Sequence, residues 1–178
     1  MNETRQYVLL SLFVALAIAL RGLEALIPNP VPWMRLGLAN IMTLLALLLS
    51  GLKAGLSLTL LRIVIASFMF GTFLSPPFFI SLAAGLSSTL VMGAACSRLR
   101  PWLSPVGISV LGGFTHNLTQ LWAAYVLVVR HWGIFYLFPF LAFIGMLAGF
   151  CNGWAACYLY EYLIARRETN FAGYQSRV

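Results

Sequence analysis

Apolar residues occupy this chain in long blocks, and the polar and helix-breaking residues fall between them. The blocks cover about 6–27, 36–51, 53–71, 77–97, 105–129 and 134–163. Crossing a hydrocarbon core of about 30 Å takes about 20 apolar residues in a helix, so the pattern predicts about six spans. The breaks have chemical causes. Pro28, Pro30 and Pro32 fix the backbone and remove donors, making 28–35 (PNPVPWMR) an extended connection. Gly51 with Lys53 marks a tight turn, Ser75, Pro76 and Pro77 end the third block, and the basic stretch 97–105 (SRLRPWLSP) divides the fourth from the fifth. Arg130, His131 and Gly133 divide the last two.

Composition turns this pattern into a class. Of 178 residues 61% are hydrophobic and 8% charged, where a soluble domain carries about 25% charged residues. The expectation is an all-α integral membrane protein, a compact bundle of about six transmembrane helices forming one membrane domain over 1–178. Residues 164–178 are expected to form a basic cytoplasmic tail. Lys and Arg collect at one set of alternate connections (Arg5, Lys53, Arg98, Arg100, Arg166, Arg167, Arg177), against Arg35 and Arg130 on the other. Basic flanks are retained on the cytoplasmic side, which predicts a multi-pass protein of the cell membrane with both termini cytoplasmic. The net charge of +7 is then a topology signal, and no nucleic-acid partner is expected. The first block runs past Ala15-Leu16-Ala17 to Ile27, which favours a retained span over a cleaved secretory signal.

Small residues at four-residue spacing mark close helix packing, since no hydrophobic effect drives helices together in lipid. Ser11, Ala15 and Ala19 form one such stripe, Ser81, Gly85, Thr89 and Gly93 a second, and Gly145, Gly149 and Gly153 a third. Packing within the chain explains any of them; for the first, docking to another membrane subunit is the competing reading. Cys96, Cys151 and Cys157 lack metal-site spacing and read as small packing residues.

The chemistry lies in polar groups stranded inside the apolar blocks. An arginine at the centre of a membrane helix costs about 2.5–3.5 kcal/mol on insertion scales, so Arg62 is expected to face a cavity, a partner or a ligand. Arg21, Glu24, Arg35 and Asn40 belong to the outer thirds of the first two spans, and His116, Asn117 and Gln120 run outward along the fifth. Together they predict an outward-facing chamber with three arginines against one carboxylate. Two readings stand side by side: structural glue, with Glu24 pairing with Arg21 and Arg62 bonding to helix carbonyls, or a binding site for a carboxylate or phosphate. Phe-, Trp- and Leu-rich walls suit an amphiphilic or aromatic ligand. His116 has neither a second histidine nearby nor a carboxylate cluster, so no metal is expected there, and no cofactor elsewhere.

The segment Arg35-Leu36-Gly37-Leu38-Ala39-Asn40-Ile41 with Thr43-Leu44, then Arg62, Gly71, Ser81-Leu82, Gly85 and His116-Asn117 with Gln120, resembles the Gx transporter family. That family is also labelled heptaprenyl diphosphate synthase component I and is similar to the substrate-binding S components of energy-coupling factor transporters. The resemblance covers roughly 8–160. It implies a six-helix protein that binds a small molecule from outside, gated by the loop 28–35. It also implies docking of Ala15 and Ala19 to a transmembrane coupling subunit, with two cytoplasmic ATPases driving uptake. The family pattern often carries lysine where Arg35 stands.

Catalysis is not expected. Prenyl diphosphate synthases hold magnesium on aspartate-rich motifs, and this chain has no aspartate; its carboxylates are Glu3, Glu24, Glu161 and Glu168. A phosphate-binding loop is absent as well, so ATP could be used only through partners. The alternative function is a non-catalytic membrane accessory in prenyl diphosphate (quinone side-chain) synthesis.

Overall fold

The computed structural model describes residues 3–26, 37–99 and 102–175, and every statement of absence below refers to these. The chain is all-helical across them: α1 (Glu3–Ala25), α2 (Asn40–Met69), α3 (Pro76–Arg98), α4 (Pro105–Ala124) and α5 (Phe138–Gln175). A π-helical turn, Tyr125–Val129, extends α4, and a 3-10 segment, Trp132–Leu137, leads into α5. Segments within Tyr7–Glu24, Asn40–Met69, Pro76–Arg98 and Trp132–Ala165 are long and apolar enough to cross a membrane.

Helix α2 is folded in two. Gly51 has φ 81 and ψ −173, a conformation open essentially to glycine alone, and it reverses the chain between an arm at 40–50 and an arm at 52–69. As one continuous helix, residues 22 apart would be separated by about 33 Å; instead Arg62 hydrogen-bonds to Asn40. The two blocks expected at 36–51 and 53–71 are thus the arms of one hairpin. Other boundaries follow local chemistry. Ser75 precedes Pro76 and Pro77, which suit a first helical turn because their missing N–H groups have no intrahelical partner there. Ser104 caps α4, accepting from Gly107 N at 3.2 Å. The π-helical turn closes on Arg130, left-handed at φ 47. At the other end of the chain α5 stays helical to Gln175.

Two of the three small-residue stripes pack inside the fold. A methyl group on Gly149 would lie 2.7 Å from the Ser109 carbonyl oxygen, and one on Gly153 would lie 2.8 Å from Val106 Cα, so α5 rides directly on the backbone of α4. On α3, Gly85 sits against Thr59 and Ile63, and the Thr89 and Thr59 hydroxyls hydrogen-bond at 2.9 Å. Such contacts replace the hydrophobic drive that lipid does not supply. The stripe on α1 is different: Ser11, Ala15 and Ala19 are all exposed, while Phe13, Val14 and Ala17 on the opposite side are buried.

The outward surface is apolar, with Leu12, Leu16, Leu60, Leu61, Phe143, Leu147 and Phe150 among the exposed side chains. Lipid, not water, is the solvent for such a surface, and the chain is a multi-pass membrane protein. The 20 residues of α4 span about 30 Å, the thickness of a bilayer core. Trp102 lies just before α4, and Trp132 and Tyr136 lie beyond its other end, all strongly exposed.

Candidate functional site

A small cavity of about 50 Å³ lies where the C-terminal half of α1, the second arm of α2, the start of α3 and the middle of α4 meet. Arg21, Glu24, Arg62 and His116 line it, with Gly37, Ser67 and Ser81 among the polar walls and Ile63, Phe70 and Phe78 among the apolar ones. Two guanidinium groups face one carboxylate, leaving one positive charge in excess.

Arg62 is the deepest cation. It is 8% exposed, and its Nη2 donates to Asn40 Oδ1 at 2.9 Å. Its Nε is buried without a hydrogen-bond partner among the described residues. A Cβ at position 85 would press on Ile63 Cδ1 at 2.8 Å and Thr59 Cγ2 at 3.1 Å, with Arg62 Nη2 at an ordinary contact distance of 3.9 Å. The glycine lets α3 close over the second arm of α2 beside the guanidinium.

Glu24 uses both carboxylate oxygens. Oε2 stands 3.7 Å from Arg21 Nη1 one turn earlier, and Oε1 accepts from the Gly37 N–H at 2.5 Å. Gly37 is left-handed at φ 78, and its carbonyl accepts from Asn152 Nδ2 of α5 at 3.1 Å and from the Asn40 N–H at 2.8 Å. Glu24 and Asn152 therefore clamp the backbone where the chain enters α2, directly beside the Asn40–Arg62 pair.

The structure sorts the residues singled out from sequence. Arg21, Glu24, Arg62 and His116 converge on the cavity, and Asn40 supports Arg62 from behind. Asn117 does not line it: its amide donates to the Leu141 carbonyl at 2.8 Å and joins α4 to α5. Gln120 is buried one turn beyond His116, outside the cavity lining. Arg35 and the connection 28–35 lie outside the described residues. Asn152 and Gly37 were missed. A polar residue inside an apolar run, the signal that picks out Asn40, also marks Asn152 between Gly149 and Gly153. Gly37 carries no side-chain signal at all.

The chain belongs to the heptaprenyl diphosphate synthase component I family, whose model matches residues 13–159. Its fold is that of a solved S component of a bacterial ECF transporter, with a TM-score of 0.68 over 96% of this chain and 99% of that one, at 18% sequence identity. No curated protein matches the sequence.

Proposed function

We propose that the chain is the membrane-embedded substrate-binding subunit of an uptake transporter and binds a small anionic or amphiphilic molecule from the outside. In this reading α1, the two arms of α2, α3, α4 and α5 each cross the bilayer, with both termini cytoplasmic. Arg62 carries the argument. A membrane-buried guanidinium with one nitrogen bonded to Asn40 and another without a partner is poised for an acceptor that the fold does not itself supply. Arg21 and His116 add donors on the same wall, and Ile63, Phe70 and Phe78 give the apolar counterpart.

A volume of about 50 Å³ is far below the ~300–1,000 Å³ of ligand-filled pockets. Binding therefore requires a wall to move. Glu24, Gly37 and Asn152 hold one wall, and the gate that the family resemblance implies precedes Gly37 in the sequence. Ala15 and Ala19 face outward on α1, available to a transmembrane coupling subunit whose ATPases supply the energy. Accessory work in prenyl diphosphate synthesis rests on the family's name alone, and a chain without aspartate is poorly equipped to hold a magnesium diphosphate.

The test is mass spectrometry of small molecules retained by the purified protein. Wild type should carry an anionic compound and Arg62→Ala should lose it, both folded in detergent. Equal retention by the two would sink the assignment.

A further inference from the structure

A second, larger hollow lies at the other end of α1. It is a groove of about 500 Å³ between the first turns of α1 and the Gly51 end of the α2 hairpin. We propose that it holds an anionic phospholipid, with an acyl chain against the walls and the phosphate on Lys53.

The walls are Tyr7, Leu9, Leu10 and Phe13 from α1 and Ala46, Leu52 and Ala54 from the two arms of α2. Lys53 is the only charged residue lining the groove among the described residues, and it is exposed. Ser50 and Ser57 flank it within the lining and bring two hydroxyl donors to the same rim. An apolar trough with one ammonium group and hydroxyls at its edge matches a chain-bearing phosphate monoanion. The trough meets the chain without stranding a polar group, and the ammonium gains a counter-ion at the membrane surface.

Placement favours lipid over the other occupants. The groove opens at the end of the bundle that carries Lys53 and, at the end of α3, Arg98, the side on which anionic lipid concentrates if basic flanks are cytoplasmic. It is at the far end of α1 from Arg21 and Glu24, so it is separate from the cavity around Arg62. At about 100° per residue, Leu9, Leu10 and Phe13 lie roughly opposite Ser11, Ala15 and Ala19, while Tyr7, which also lines the groove, stands one turn before Ser11 on the stripe's side.

Native mass spectrometry of the full chain in detergent tests this, with phosphatidylglycerol and phosphatidylcholine of matched chains offered in equal amounts. The wild type should retain a single phosphatidylglycerol with about a five-fold preference, the worth of one lysine at an anionic surface. Lys53→Ala should bring the two lipids to parity and Lys53→Arg should keep the preference. Ser57→Trp, at an exposed rim position, should reduce adducts of both lipids. Equal retention of the two lipids by wild type, or an undiminished preference in Lys53→Ala, would overturn the proposal. So would glycerol phosphate binding as well as the intact lipid, or a dimer mass in place of lipid adducts that Ser57→Trp removes. The proposal rests on membrane embedding and not on the ligand reading: Arg62→Ala should leave the lipid preference intact, so either can fail alone.

Discussion

Arg62 donates to Asn40 across 22 residues of chain because Gly51 stands equally far from both, with a backbone conformation that turns one helix into two antiparallel arms. A buried guanidinium is thereby given a neutral amide for a neighbour. The amide oxygen accepts one hydrogen bond and leaves the positive charge uncancelled. This combination makes the cavity selective for an anion in the proposed function.

The hairpin depends on glycine for its backbone alone. Nothing lies within 4 Å of the place a Cβ would occupy at Gly51, so any cost of Gly51→Ala is conformational, about 1–3 kcal/mol. Unfolding in detergent should register that loss, and the Asn40–Arg62 contact should loosen with it. Gly71→Ala, at φ 64 and equally unobstructed, should cost less, because left-handed helical backbone is less forbidden to alanine. Equal stability of wild type and Gly51→Ala would mean that the turn does not hold the arms together.

Removing Asn40 should be felt through Arg62. Asn40→Ala deletes a hydrogen bond to a buried charge, with an expected loss of about 1.5–3 kcal/mol. In a double-mutant cycle with Arg62→Ala the two losses should be strongly non-additive, since both remove the same contact. Simple additivity would show that the 2.9 Å bond contributes nothing separable to the fold.

Glu24 has two partners that different substitutions separate. Glu24→Gln retains an acceptor for the Gly37 N–H and loses only the ion pair with Arg21, whereas Glu24→Ala loses both. Hydrogen exchange at residues 37–41 should accelerate at least ten-fold in Glu24→Ala and change little in Glu24→Gln. Asn152→Ala should resemble Glu24→Ala, because Asn152 holds the same glycine from the other side.

Backbone contact between α4 and α5 should tolerate no added carbon. Gly149→Ala places a methyl 2.7 Å from Ser109 O and 2.8 Å from Val110 Cα, and neither backbone atom can rotate away. A loss of about 1–3 kcal/mol is expected, the cost of overpacking. Gly22→Ala, inside α1 and meeting nothing within 4 Å, should instead gain about 0.5–1 kcal/mol of stability, the helix-propensity difference between the two residues.

Bulk on the outward stripe should separate folding from assembly. Ala15 and Ala19 are exposed, so Ala15→Leu with Ala19→Leu should leave the isolated chain as stable as before, within about 0.5 kcal/mol. Copurification with a transmembrane coupling subunit should be lost. Its persistence would assign that partner to another face.

Much of the site was legible because charge is expensive in lipid. Arg62, Arg21, Glu24 and His116 each stand out as polar groups in apolar runs, and each reaches the cavity. Asn117 carries the same signal but spends its amide on a carbonyl of α5. Sequence could not separate these uses, because an amide satisfying a neighbouring helix and one awaiting a ligand obey the same solvation rule. The stripes were equally ambiguous: Gly145–Gly153 and Ala15–Ala19 share a spacing, yet one is pressed onto backbone and the other faces outward.

By itself the sequence determined the solvent, the helical class and the positions of most breaks, because these follow from local hydrophobicity and from where proline and glycine interrupt it. Tertiary structure alone decided that Gly51 folds α2 back so that Asn40 meets Arg62, and that Glu24 and Asn152 hold Gly37 between them. It also decided that α1 keeps its small residues on the outside. These are relations between distant segments, set by which helix faces meet when the chain packs.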